Sequence, residues 1–131
     1  MAKPKLRHVA IKTDDVHKEA AFWSKSFDLE QVGGHGDVAV FLSDGVMNLA
    51  IIKIPEDMKD FPNYDAPYGL NHIGFVVDDI DTQVAKCSGE GAVATVDPNH
   101  RDAGATWEMK MRSPSGIDID LSDHGWPGIT L

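Results

Sequence analysis

Three residues have the type and placement to hold a divalent metal: His8, His72 and Asp120. Asp120 lies in the run Ile117-Asp118-Ile119-Asp120-Leu121-Ser122, whose strict alternation reads as a strand. The alternation sends Ile117, Ile119 and Leu121 toward an apolar core and leaves Asp118, Asp120 and Ser122 on the other face. Two carboxylates on one sheet face need a partner, because an unpaired charge is costly to bury, and a cation is such a partner. His8 precedes Val9 and Ile11, and His72 precedes Ile73, Phe75 and Val77. With those apolar side chains in the core, both imidazoles point to the opposite face. Two histidines and one carboxylate suit Fe(II), Mn(II), Ni(II) or Zn(II) and leave coordination positions for a substrate. A lone histidine on a strand is ordinarily structural; it is the matched pair that carries this reading. Asp118 reads as a supporting or solvated residue.

The elements that must position these residues come from an internal repeat. Residues 8–16 read HVAIKTDDV and residues 72–80 read HIGFVVDDI, at a constant offset of 64. In each copy an apolar, β-branched stretch predicts a strand. Thr13-Asp14-Asp15 and Asp78-Asp79 then predict helix N-caps. Val16, Ala20, Trp23 and Phe27 recur at helical spacing; Ile80, Val84 and Cys87 do so more weakly, and Gly89 with Gly91 ends the second helix. Strands are expected over about 29–33, 37–43 and 46–54, and again over about 92–97, 104–112 and 117–122. Ser43-Asp44-Gly45 and Ser113-Pro114-Ser115-Gly116 mark the turn before each last strand. The expected fold is therefore α+β: two βαβββ modules, about 5–54 and 70–124, in one domain spanning 1–131. A linker with Pro55, Pro62 and Pro67 covers 55–69, and a tail covers 125–131. Paired edge to edge, the modules make an open, curved mixed sheet with helices outside and a cleft inside.

The His-led strands, the Asp-capped helix with Phe22-Trp23, the repeat and the Ser-Pro-Ser-Gly turn before a carboxylate strand resemble the vicinal oxygen chelate superfamily. That superfamily includes glyoxalase I, fosfomycin- and bleomycin-resistance proteins and extradiol dioxygenases. The resemblance spans about residues 6–122 and implies metal ligation by His8, His72 and Asp120, with Asp one methylene shorter than the usual Glu. Aligning Gly45 with Gly116 puts Leu49 opposite Asp120, at the position of the family's fourth ligand. Leu cannot ligate, and Asn48 serves only if the register slips by one. The resemblance also implies that Lys110 takes the place of a substrate-touching Tyr, with Glu108 on the same face. Lys keeps a donor for a substrate oxyanion but lacks the phenol's acid–base behaviour. A Lys110–Glu108 ion pair is the plain alternative.

Three classes of function follow. The first is a metal-dependent enzyme acting on a small metabolite held through two adjacent oxygens. Its leading form is dioxygenase-like, with glyoxalase- or epimerase-like lyase or isomerase chemistry and fosfomycin-resistance-like thiol transfer as alternatives. The second is a non-catalytic sequestering protein like the bleomycin-resistance members, which generally lack the metal histidines. The third is a metal-free scaffold.

With 12 Lys plus Arg against 21 Asp plus Glu, the chain carries a net charge of −9. That balance repels phosphate backbones, so nucleic acid is not an expected partner. Hydrophobic residues at 42% and charged residues at 25% indicate a globular chain. No apolar run reaches the roughly 18 residues of a membrane helix, so no membrane association is expected. The N-terminus MAKPKLRHV has no apolar core of a secretory signal. One cysteine, Cys87, cannot form an internal disulfide and reads as a packed thiol in a cytoplasmic protein. Exposed sheet edges predict a homodimer. Met109 and Met111 are expected as core filler, and Trp126 as the anchor of the tail against the cleft mouth or a partner subunit. His100 and Arg101 fall in a polar loop, His17 and His35 are expected at the surface, and no role is assigned to His124.

Overall fold

The computed structural model describes residues 2–60, 64–97 and 108–131. Strand β1 (Lys5–Lys12) leads to helix α1 (Val16–Phe27) and strands β2 (Glu30–His35), β3 (Ala39–Ser43) and β4 (Asn48–Ile52). A short 3-10 turn at Glu56–Met58 opens the connection to the second set. That set is β5 (Gly69–Val76), α2 (Ile80–Gly89), β6 (Val93–Ala94), β7 (Met109–Arg112) and β8 (Asp118–Ser122). All eight strands join one mixed sheet in the order β2-β3-β4-β1-β5-β8-β7-β6. The repeated strands β1 and β5 meet antiparallel at its centre, so the two modules pair within one chain. Each also pairs in parallel with the last strand of its own module, β1 with β4 and β5 with β8.

The helices begin where the aspartates dictate. Asp15 accepts from the Lys18 N–H and Asp79 from the Thr82 N–H, each satisfying a donor that the first helical turn leaves without a partner. Helix α2 ends at Gly89, and Gly91 follows with φ +99°, a conformation that costs glycine little. Each helix covers its own core on one side of the sheet. Ile11, Val16, Ala20, Val40, Leu42 and Ile51 form the first. Val77, Ile80, Met109, Met111 and Leu121 form the second, with Cys87 packed against it.

Several boundaries differ from expectation. Phe27 keeps the helical spacing but is exposed rather than core. Ile117 is also exposed, at 52%. It belongs to the turn, where its N–H is held by the Ser113 hydroxyl and its carbonyl by the Ser113 N–H, so β8 starts one residue later. The sixth strand is two residues long instead of six. The seventh is described from Met109, and Pro62, His100, Arg101 and Trp107 lie outside the described residues. Among the described residues no helix is long and apolar enough to cross a membrane.

Candidate metal centre

The pairing register decides which side chains meet. His8 lies beside Asn48 on β4, and His72 beside Asp118 on β8. Carried two residues along, Asp120 lies beside Gly74 and corresponds to Ala50, not Leu49. The first hairpin has one residue more between Gly45 and its strand than the second has after Gly116, which shifts the register by one. Leu49 therefore packs against the first core, while Asn48 and Ala50 sit on the cleft face. Ala50 offers no ligand, so the set has three protein donors.

His8, His72 and Asp120 are all buried, at 4%, 8% and 3% exposure. Their potential ligand atoms lie within 4.8 Å of one another. His8 Nε2 is 3.1 Å from His72 Nε2, which is 3.1 Å from Asp120 Oδ2. The outer nitrogens are engaged. His8 Nδ1 meets Asn48 Oδ1 at 2.7 Å, and His72 Nδ1 meets Asn71 Oδ1 at 2.7 Å. Asn48 Nδ2 donates to the Pro127 carbonyl at 3.0 Å, which orients its oxygen toward His8. An amide oxygen only accepts, so each Nδ1 carries the hydrogen and each Nε2 presents its lone pair inward. Two nitrogen lone pairs and a carboxylate thus converge, the carboxylate already paired with the Lys110 ammonium at 3.0 Å. The two lone pairs face one another with no hydrogen between them, and the donor chemistry fits a divalent metal.

The electrostatics agree. Burial lowers the His8 pKa to about 4, with His72 beside it acting in the same direction, so His8 is neutral near pH 7. Burial opposes charge on Asp120, but the His72 ring at 3.1 Å and the Lys110 ammonium outweigh it and keep the carboxyl ionised. Lys110 Nζ lies 3.0 and 3.1 Å from the two Asp120 oxygens and 3.7 Å from Glu108 Oε2. Its ammonium therefore points into the cleft. Glu108 is pushed up to about 8, first by burial and then by the neighbouring Asp120. Asp118 is paired with Arg112 at 2.9 Å, away from the triad.

Three residues that sequence reasoning assigned no role here, or placed less closely, complete the centre, and a fourth, Lys12, lies beyond it on the same face of the sheet. The Trp126 indole stacks on the His8 ring, centroids 4.4 Å apart and 5° from parallel, and its N–H donates to Glu108 Oε1 at 2.7 Å. Of the two placements considered for Trp126, the cleft is the one found. Gly74 makes room for it: a Cβ there would come within 2.7 Å of the indole. A glycine inside the strand pattern HIGFVV is itself a signal of close approach. Asn48 is found only from the register. Lys12 shares the cleft face of β1 and is 9% exposed, its ammonium held by the Tyr64 and Ala66 carbonyls at 2.5 and 2.7 Å. It ties the linker to the sheet, and no motif marks it. His17 and His35 are exposed as expected, and His124 lies 3.3 Å from Asp123.

Known proteins agree with this architecture. No curated protein matches the chain. A hypothetical protein from Bacillus halodurans C-125 superposes with a TM-score of 0.69 at 18% identity, covering 92% of this chain and 94% of that one. A variant of Streptomyces coelicolor methylmalonyl-CoA epimerase bound to 2-nitronate-propionyl-CoA also gives 0.69, at 15% identity and 90% and 96% coverage. A methylmalonyl-CoA epimerase in complex with methylmalonyl-CoA and NH4+ gives 0.68, at 16% identity and 92% and 96% coverage. At such identities the likeness is one of fold. The family described as glyoxalase/bleomycin resistance protein/dioxygenase superfamily matches residues 7–109, and to that superfamily this chain belongs.

Proposed function

We propose that the protein is a divalent-metal-dependent enzyme that moves a proton on a small metabolite bound through two adjacent oxygens, a lyase or isomerase in class. The observation that carries the reading is the convergence of His8 Nε2, His72 Nε2 and the Asp120 carboxylate in a buried site, with Glu108 beside them. His8, His72 and Asp120 would hold the metal, which when bound supplies Lewis acidity to two substrate oxygens. Asn48 and Asn71 fix the imidazole orientations through the Nδ1 hydrogens. Trp126 covers one face of His8 and excludes water there.

In the metal-free protein burial and the neighbouring Asp120 push the Glu108 carboxyl up to about 8, and a bound cation would favour its ionised form. The Trp126 N–H occupies Oε1, which leaves Oε2 to carry the proton. A carboxyl with a pKa near the working pH is suited to give and take a proton. Lys110 balances the charge of Asp120 and stands ready for a substrate oxyanion on the same side. The likeness of fold to epimerases is consistent with this class. The three-donor set, with Ala50 in the fourth position, favours ring-cleaving dioxygenase chemistry as the second reading.

The test has two parts. Elemental analysis of protein purified without chelator should give about one divalent metal per chain, lost in both His8→Ala and His72→Ala. Incubation with small 2-hydroxy and 2-oxo acids in D2O should then show deuterium entering the carbon next to the oxygens. Full metal content in both histidine variants refutes the site. Oxygen consumption with a catechol and no deuterium exchange would select the dioxygenase reading.

A further inference from the structure

Beside the triad, toward the first module, lies a cavity of about 590 Å³. That is the size of a site for a small organic molecule. Its walls are Gly33, Gly34 and His35 of β2, Phe41 of β3, the segment His124–Pro127, and Glu108. The space exists because Gly33 has no side chain: a Cβ there would lie 3.2 Å from Phe41 Cδ2 and 3.8 Å from Pro127 Cγ. The Trp126 indole is shared between cavity and triad, since one face already lies on His8. Aromatic and apolar surfaces thus make the body of the cavity. Its acidic group, Glu108, sits at the end next to Lys110 and Asp120. Among the described residues no Lys or Arg lines it. The chain's net charge of −9 disfavours a polyanionic ligand.

We propose that this cavity holds a flat, uncharged ring of the substrate, whose two adjacent oxygens face the His8–His72–Asp120 centre. The substrate class is an aryl-bearing hydroxy or oxo acid. This deepens the functional reading above and rests on it. Phe41 and Trp126 present ring faces and edges on which an aryl group gains dispersion and stacking. Gly33 sets the depth.

Mandelate and lactate test the idea, because both carry a hydroxyl beside a carboxylate and only mandelate carries a ring. With the metal-containing protein, calorimetric titration should show mandelate binding on the order of tenfold tighter or more, from burial of the ring. Gly33→Val fills the cavity and should erase the preference while metal content stays normal. Phe41→Ala removes one ring wall and should erase it too, which keeps the test open should the valine variant not fold. Equal affinity for the two acids, including no measurable binding of either, overturns the proposal. So does a preference that survives in a folded variant. His8→Ala separates the two ideas. If it leaves both affinities unchanged while Gly33→Val removes the mandelate preference, the metal reading fails and the cavity stands.

Discussion

Replacing Gly74 with alanine should loosen the tail over the centre, and the structure gives the size of the effect. The new Cβ would lie 2.7 and 2.8 Å from Trp126 Cη2 and Cζ2, and 3.0 Å from His8 Cβ. The sheet backbone at β5 cannot yield without breaking its pairing with β1 and β8, so the indole must move. Moving it forfeits the stack on His8, about 0.5–1.5 kcal/mol. It also forfeits the hydrogen bond to Glu108, about 0.5–1.5 kcal/mol. Alanine returns roughly 0.5–1 kcal/mol through its lower chain entropy in the unfolded state. The net loss is about 0.5–2 kcal/mol. Urea unfolding of metal-free protein, followed by far-ultraviolet circular dichroism, measures it. The discriminating experiment is the double-mutant cycle with Trp126→Ala. Once the indole is gone, Gly74→Ala has little left to displace, so the two losses should fall short of additivity by about 1 kcal/mol. Strictly additive losses would show that Gly74 and Trp126 do not meet, and the described closure of the centre would be wrong.

Other perturbations read other parts of the molecule. Asn48→Ala removes the acceptor of His8 Nδ1 and should weaken metal affinity roughly 10- to 100-fold, by competition with a chelator, without abolishing it. Lys110→Ala should retain metal and lower turnover on the order of 10²–10³ once a substrate is in hand; unchanged turnover would make the lysine merely the counter-ion of Asp120. Asp44 accepts from the Met47 and Val46 N–H groups at 2.8 and 2.9 Å, which holds its carboxyl below the ordinary 3.8. A lowered folded-state pKa means stability that is present above 3.8 and lost as pH falls through the folded value. The destabilisation caused by Asp44→Ala should accordingly be constant near neutrality and shrink below that pH; a difference that grows in acid contradicts this. Among the described residues β2 and β6 are the outermost strands of the sheet, and Phe22, Phe27 and Leu70 expose apolar surface, so light scattering at micromolar concentration should give a dimer. The mass of a single chain refutes that expectation.

The one-dimensional pattern carried the repeat, the fold class, both helix starts and the identity of the three converging side chains. The physical reason is local. A strand's alternation binds His8, His72 and Asp120 to the face opposite Ile11, Phe75 and Leu121, whatever the rest of the chain does. An aspartate before a helical run captures free N–H groups from its own next turn, as Asp15 and Asp79 do. What depended on contacts between distant segments was decided only in three dimensions. The register of β4 follows from its pairing with β1 and not from aligning Gly45 with Gly116, so Asn48 rather than Leu49 reaches His8. Ile117 continues an apolar alternation yet falls in a turn, because the Ser113 hydrogen bonds claim its backbone. The tail reads as an unpatterned end of chain. Ser43, Asn48 and Glu108 hold Gly128, Pro127 and Trp126 from three separate strands and loops, and Gly74 leaves the space in which the indole lies on His8. Sequence spacing constrains a side chain's direction along its own strand; which partner it meets there depends on register and packing, which belong to the whole fold.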